Sequence, residues 1–300
     1  MAVDVGTVGI WSPSYLWADA GPQQPDEWRA AAVELDELGY GALWLGNATG
    51  DLRLVEDVLA ATGRIVVATG IVNIWADPAA GVAANLHRLA QRYPGRVLLG
   101  LGASHAPAVE RLGREYRKPL GELSRYLDGL DGAPDPVPVD GRVLAALGPK
   151  ALALAARRSA GAHPYLTTAA HTEMARRELG AGKLLAPEQK VVMEPDRSSA
   201  RAIARRHLSY YLVLPNYVQN FKRLGFTDDD VSGGGSDRLI DALYAHGING
   251  ADGVVARVRE HHDAGADHVC VQTITPEVDA ATRTGRLARD QWRELAAALL

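Results

Sequence analysis

A strand–helix–strand pattern is clearest in residues 64–102, RIVVATGIVNIWADPAAGVAANLHRLAQRYPGRVLLGLG. Two short apolar runs, Ile65–Ile71 and Arg96–Leu101, predict strands that are buried on both faces. Asp77-Pro78 opens the segment between them, and a helical pattern runs from there toward Arg92. Two buried strands joined by a helix predict a parallel βαβ unit.

The same alternation extends to both ends of the chain. Six further runs predict strands: Val5–Ile10, Ala42–Leu45, Val143–Leu147, Ala162–Thr168, Lys190–Met193 and His268–Gln272. Eight strands that are each followed by a helix predict a (β/α)8 TIM barrel, here as one domain over residues 1–300. A doubly wound open sheet is the alternative. It is less favoured because the turn after the first strand, Trp11-Ser12-Pro13-Ser14, contains no glycine.

Residues 214–250 depart from this alternation, between the seventh and eighth predicted strands. They contain two helical patterns, Asn216–Leu224 and Asp237–His246, on either side of the glycine-rich Ser232–Gly235. Because loops that follow barrel strands lie at the carboxyl-terminal mouth, where active sites are built, we expect this insertion to form a lid or a substrate wall.

Composition argues against several classes of protein. Lys and Arg number 32 against 36 Asp and Glu, a formal charge of −4, which disfavours nucleic-acid binding through phosphate neutralisation. The single cysteine, Cys270, excludes an intrachain disulfide and fits a reducing compartment. The apolar stretch Ile65–Ala76 is too short to span a bilayer, and no basic region precedes an apolar run near the first residues. We expect a cytoplasmic protein without a membrane or nucleic-acid partner.

The carboxyl ends of the predicted strands carry the candidate site. They contain few carboxylates and no HExxH motif, which argues against a glycosidase, a metallohydrolase or any metal site. They are rich instead in small residues and hydroxyls, together with one cation: Gly102, Ala103, Ser104, Gly148, Pro149, Lys150, Thr167 and Thr168. Open backbone amides and a helix N-terminus suit a phosphorylated aromatic cofactor. Each glycine taken alone is better explained by a tight turn, and the functional interpretation rests on their agreement.

Two other features are interpreted as structural. Cys270 lies within an apolar strand and is expected to pack in the core. His261-His262 lies on a helix before the last strand and is expected to face solvent.

Several of these stretches resemble the luciferase-like monooxygenase superfamily. The resemblance is carried by residues 64–71 with Asn73, by residues 95–102, by Leu38–Trp44 and by Ala264–Val269. Residues 161–168 with His171-Thr172, and then Leu185–Gln189, are similar to the branch that uses the deazaflavin coenzyme F420. The resemblance implies a (β/α)8 barrel of the bacterial luciferase type with an insertion before the last strand.

The resemblance also implies where a deazaflavin would lie. It implies a cis peptide bond at Gly70–Ile71 against the ring, Asn47 beside the ring and Asn73 near its polar edge. It implies Gly102–His105 along the ribityl chain and phosphate, and Gly148–Lys150 at the phosphate and tail. The full set of expected cofactor-binding residues is Asn47, Thr69, Gly70, Ile71, Asn73, Gly102, Ala103, Ser104, His105, Gly148, Pro149, Lys150, Tyr165, Thr167 and Thr168.

The implied reaction is hydride transfer between C5 of the deazaflavin and a small organic substrate, in a homodimeric enzyme. Asn47 and His105 are the expected catalytic residues, with His105 as proton donor. The sugar-phosphate dehydrogenase branch has a catalytic His after the second strand and a Glu after the fourth, where this chain has Ala48 and His105. Glucose 6-phosphate is therefore a disfavoured substrate. Two alternatives stay open: an FMN-dependent monooxygenase with a separate flavin reductase, and a barrel that binds a cofactor or partner without catalysis.

Overall fold

The computed structural model describes residues 3–18, 27–278 and 282–300. The strands are β1 (Val8–Pro13), β2 (Ala42–Gly46), β3 (Val66–Thr69), β4 (Val72–Asn73), β5 (Val97–Gly102), β6 (Arg142–Leu144), β7 (Gly161–Ala162), β8 (Leu184–Leu185), β9 (Glu188–Val192), β10 (Tyr244–His246), β11 (Ile248–Ala251) and β12 (Val269–Thr273). The helices are α1 (Tyr15–Ala18), α2 (Glu27–Leu38), α3 (Arg53–Ala61), α4 (Ala79–Arg92), α5 (Ala106–Glu110), α6 (Pro119–Asp131), α7 (Pro149–Arg158), α8 (Ala169–Leu179), α9 (Arg197–Leu212), α10 (Pro215–Arg223), α11 (Asp228–Val231), α12 (Asp237–Leu243), α13 (Asp252–Asp263) and α14 (Arg289–Leu299).

The strands form a closed barrel. The sheet order is β10-β9-β12-β1-β2-β3-β5-β6-β7-β8, with β4 beside β5, and the pairs are parallel. Its two ends meet because β8 and β9 are successive parts of one stretch, residues 184–192. The start of β12 also reaches this stretch, since Cys270 N donates to Pro187 O at 3.0 Å. The predicted (β/α)8 barrel with an insertion before its last strand is confirmed.

Three strands differ by three or more residues from their predicted bounds, and one of them, predicted as Val143–Leu147, ends early because β6 stops at Leu144. The first was expected at Val5–Ile10, but β1 begins at Val8 and continues through Pro13, because it pairs with β2 from Gly9↔Ala42 to Pro13↔Gly46. The sixth was expected at Ala162–Thr168, but β7 contains only Gly161 and Ala162. Beyond Pro164, whose carbonyl accepts from Glu188 N at 2.8 Å, β10 takes the flank of β9.

The chain packs in layers around the barrel. Inside it, one apolar cluster includes Trp44, Ala68, Leu98 and Cys270, which confirms Cys270 as a core residue. The prediction for His261 was wrong. Its side chain is fully buried and bonds Thr172 Oγ1 at 2.7 Å and Gln189 Oε1 at 2.9 Å, because α13 turns this face toward α8 and the barrel.

Residues 214–250 contain α10, α11, α12 and β10. Their apolar side chains, among them Tyr217, Phe221 and Ile240, form a second core with Leu166 and with α9. The insertion therefore packs against the mouth of the barrel. No helix within the described residues is long and apolar enough to cross a membrane.

Candidate functional site

The ends of β3 and β5 are held tightly together. The Gly70–Ile71 peptide bond is cis, as expected. Thr69 Oγ1 donates to Gly100 O and accepts from Gly100 N, both at 2.8 Å, so its hydroxyl is committed to joining the two strands. A Cβ on Gly102 would lie 2.9 Å from Cγ1 of Ile71, so glycine is required for Ile71 to pack there.

The loop after β5 is fixed through its backbone carbonyls. Trp75 Nε1 donates to Ala103 O at 2.9 Å, and Tyr116 Oη donates to Ser104 O at 3.2 Å. Asn73 Oδ1 in turn accepts from Trp75 N at 3.1 Å, which occupies its acceptor in this turn. These bonds hold the loop backbone in place through its carbonyl oxygens. They do not involve the Ser104 hydroxyl or the His105 ring.

Two expected catalytic residues have different surroundings. Asn47 follows β2, adopts a left-handed φ of 55° and is exposed. His105 is half-buried, its Nδ1 has no hydrogen-bond partner among the described residues, and its ring lies 5.7 Å from that of Tyr217. Burial lowers the pKa of His105. The neutral imidazole that this favours can donate one N–H bond and accept one proton.

The turn after β6 ends in a helix N-terminus. Gly148 is the N-cap of α7, with Pro149 and the exposed Lys150 in its first turn. His171 Nε2 donates to Leu147 O at 2.8 Å and so fixes the residue before Gly148. The nearest atom to a Cβ built on Gly148 is Nη2 of Arg223, at 3.9 Å. The helix dipole and the two cations make this turn favourable for an anion.

The residues after β7 are mostly engaged with protein. Thr168 is the N-cap of α8 and accepts from His171 N at 3.3 Å. Thr167 Oγ1 is buried and has no partner within the described part of the chain. Tyr165 Oη contacts both Gln272 Oε1, at 2.8 Å, and Tyr211 Oη, at 2.9 Å.

Sequence reasoning missed a buried ion pair beneath Tyr165. Glu188 and Lys190 are fully buried in β9, with Nζ 3.0 Å from Glu188 Oε1 and 2.8 Å from Gln272 Oε1. Nζ also lies 3.8 Å from the centre of the Tyr165 ring. Burial raises the pKa of Glu188 and lowers that of Lys190 to about 8, while the attraction between the two charges opposes both shifts. The available signal was a pair of opposite charges two positions apart, Glu188 and Lys190, at the start of a predicted strand.

Aromatic side chains join this pair to the insertion. Trp11 lies 5.0 Å from Tyr165, Tyr165 lies 5.8 Å from Tyr211, and Tyr211 lies 5.1 Å from Tyr217, measured between ring centroids. Tyr211 belongs to α9 and Tyr217 to α10, so these elements extend over the barrel mouth. We call Trp11, Tyr165, Tyr211 and Tyr217 the aromatic row. Through Tyr217 this row contacts His105, in the loop after β5, whereas Lys150 lies at the exposed start of α7.

Comparison with known proteins confirms the resemblance. The family model described as luciferase-like monooxygenase matches residues 7–133. No curated protein matches the chain in sequence.

Solved structures share the fold over nearly the whole chain. An F420-dependent secondary alcohol dehydrogenase, solved with an F420–acetone adduct, has a TM-score of 0.65 at 15% identity, over 98% of this chain and 99% of that chain. The coenzyme F420-dependent tetrahydromethanopterin reductase of Methanopyrus kandleri has a TM-score of 0.71 at 15% identity, over 98% and 97%. The oxygenating constituent of 3,6-diketocamphane monooxygenase of Pseudomonas putida, solved with FMN, has a TM-score of 0.65 at 13% identity, over 100% and 98%. The fold is thus shared with enzymes of both cofactor classes.

Proposed function

We propose that the chain is a cytoplasmic, homodimeric F420-dependent oxidoreductase that transfers a hydride between C5 of the deazaflavin and a small organic molecule. The luciferase-like family match and the F420-dependent enzymes of the same fold support this proposal. The observation that carries it is the Gly148 turn, where the N-terminus of α7 lies beside Arg223 Nη2, the nearest atom, at 3.9 Å, to a Cβ built on Gly148, and where Lys150 adds a second cation in the first turn. Such a turn suits the phosphate of a deazaflavin nucleotide.

The residues of the mouth fit such a cofactor. The backbone of Gly70–Ile71, with Asn47 and Asn73, would hold the ring, and Gly102–His105 would hold the ribityl chain. Gly148–Lys150 would hold the phosphate, with Tyr165, Thr167 and Thr168 alongside. The polar atoms His105 Nδ1 and Thr167 Oγ1 are buried and lack partners among the described residues, so each would gain a hydrogen bond if the cofactor or its substrate reached it. When bound, F420 supplies a carbon that accepts or gives a hydride.

The protein's own contribution is orientation, exclusion of water and one proton site. The aromatic row closes the mouth over the Gly70–Ile71 turn, since Trp11 Nε1 would lie 2.6 Å from a Cβ on Gly70. Because burial favours neutral His105, this imidazole can take a proton from an alcohol or hold a substrate oxygen through its N–H. Asn47 is exposed at the carboxyl end of β2, at the same mouth of the barrel.

The deciding experiment is a titration of the purified protein with oxidised F420 and, separately, with FMN, followed by ligand fluorescence. We expect saturable binding of F420 and much weaker binding of FMN. Preference for FMN would overturn the proposal in favour of the monooxygenase alternative. Binding of neither would overturn both.

Gly148→Asp should weaken F420 binding by about 10-fold or more, because a carboxylate at the phosphate position repels the ligand and pairs with Arg223. The fold should be kept, since a Cβ has room at Gly148 and Asp is a favoured N-cap. Gly148→Ser, a neutral N-cap, is the control and should stay within a few-fold of the wild type. If Gly148→Asp bound F420 as tightly as the wild type does, the phosphate would have to bind at a site other than Gly148.

A further inference from the structure

The insertion helix α10 touches both expected cofactor loops. Near its start, the Tyr217 ring lies 5.7 Å from His105, which follows β5. At its end, Arg223 Nη2 is the nearest atom to a Cβ built on Gly148, which follows β6. One helix of the insertion therefore reaches from the ribityl loop to the phosphate turn.

The charge of Arg223 is unmatched. Neighbouring cations of the insertion have carboxylate partners: Lys222 pairs with Asp228, and Arg238 pairs with Asp230 at 2.7 Å. Arg223 forms no ion pair with any residue that the structure describes. It faces the N-terminus of α7, which carries a partial positive charge, and Lys150 lies in that same first turn. Arg223 and Lys150 are both exposed to solvent, and their positive charge, added to that of the helix N-terminus, attracts an anion to this turn.

A buried amide beside Arg223 lacks a partner. Asn220 is fully buried, and its Oδ1 accepts from Arg223 Nη1 at 3.1 Å. This contact sets the amide plane against the guanidinium, while Nδ2 donates to no atom of the described residues. A buried N–H group without an acceptor is costly, and a small shift of this side chain toward an anion bound by Arg223 would satisfy it.

We propose that Arg223, positioned by Asn220, is the cation that binds the cofactor phosphate together with the N-terminus of α7. This inference rests on the proposed function and adds to it a specificity determinant on the insertion. An arginine presents a planar pair of donors to phosphate oxygens and is well suited to such recognition. The insertion would then make the protein select phosphorylated over unphosphorylated forms of the same ring system.

The test compares matched ligands and matched variants. F420 is titrated beside the unphosphorylated deazaflavin, which keeps the ring and the ribityl chain, and FMN is titrated beside riboflavin. The proteins are the wild type, Arg223→Gln and Lys222→Gln. Lys222 is the matched control, since it is an exposed neighbour on the same helix with its own carboxylate partner. Arg223→Lys keeps the charge without the paired donors. Circular dichroism and thermal melting check that each variant is folded.

We expect Arg223→Gln to lose about 10- to 100-fold in affinity for the phosphorylated ligand and to bind the unphosphorylated ligand as the wild type does. The affinity of Arg223→Lys should fall between those of these two proteins, and Lys222→Gln should match the wild type. Wild-type binding of F420 that persists in Arg223→Gln would overturn this inference and leave the proposed function standing. An equal loss for the phosphorylated and the unphosphorylated ligand would show that Arg223 acts on the fold of the mouth, which also overturns it. If the wild type binds neither phosphorylated ligand, both proposals fail.

Discussion

The two halves of the barrel interior are built from different chemistry. From β1 to β5 the strands turn apolar side chains such as Trp44, Ala68 and Leu98 inward. From β7 to β12 the strands and their ends bury Glu188, Lys190 and several histidines. The first half is stabilised mainly by apolar packing, whereas the second depends on buried polar groups that are costly unless each has its partner.

Histidines show the contrast most clearly. Four of them between β7 and β12 are fully buried, two near the strands and two on the helices α8 and α13 that cover them, and burial lowers their pKa values to about 4 or about 3. These residues are His163, His171, His261 and His268. His268, for example, accepts from Trp44 Nε1 at 3.0 Å and contacts Gly6 O through Nδ1 at 2.9 Å, which requires the neutral ring. The second half therefore contains groups whose protonation opposes folding.

The largest predicted effect is acid unfolding that depends on the second half. Below about pH 6.5 the four histidines bind protons in the unfolded chain but stay neutral in the folded protein. The free energy of unfolding therefore falls as the pH drops from about 6.5 to about 4. At about 1.4 kcal/mol per pH unit for each proton, the slope reaches several kcal/mol per pH unit near pH 5. Glu188, whose pKa is raised by burial, contributes with the opposite sign, but it is a single group.

Denaturant unfolding measured at intervals between pH 7 and pH 4.5 tests this expectation. Hydrogen exchange followed by mass spectrometry, corrected for the intrinsic rate, should show residues 161–273 losing protection first. His268→Gln, which retains an amide for both contacts, should reduce the slope by about 1.4 kcal/mol per pH unit. If the free energy of unfolding stayed constant down to pH 5, the predicted role of the buried histidines, and with it this difference between the two halves, would be wrong.

The buried ion pair gives the next largest effect. Lys190→Met should reduce the free energy of unfolding by about 3–5 kcal/mol, because Glu188 is left buried without its counter-charge. The double variant Glu188→Gln/Lys190→Met should recover much of that loss, since it removes both charges. Urea unfolding of the three proteins measures both steps. A double variant no more stable than Lys190→Met would contradict the ion-pair account.

A smaller effect is expected in the first half. Thr69→Val preserves shape but leaves Gly100 N and O without the hydroxyl that bonds both, at a cost of about 1–3 kcal/mol. The same variant should bind F420 about as tightly as the wild type, because the hydroxyl faces Gly100. A weaker affinity with unchanged stability would instead assign the Thr69 hydroxyl to the cofactor.

Prediction from sequence succeeded where local pattern and packing agree. The run Ile65–Ile71 is apolar apart from Thr69 and Gly70, and β3 lies within it. The run Ala162–Thr168 is more polar and contains Pro164. There β7 ends at Ala162, and β10, from residues 244–246, lies beside β9. His261 was misplaced for a related reason, since only the packing of α13 on α8 reveals which side of that helix is buried.

Local sequence pattern was enough to predict the alternation of strands and helices, the glycine turns at strand ends and the position of the insertion, because these depend on neighbours in the chain. Only the packed fold shows that Lys190 contacts Gln272 and Tyr165, and that Arg223 lies beside Gly148. These contacts join residues more than twenty positions apart. Closure of the barrel and folding of the insertion across its mouth bring them together, and local periodicity carries no information about either.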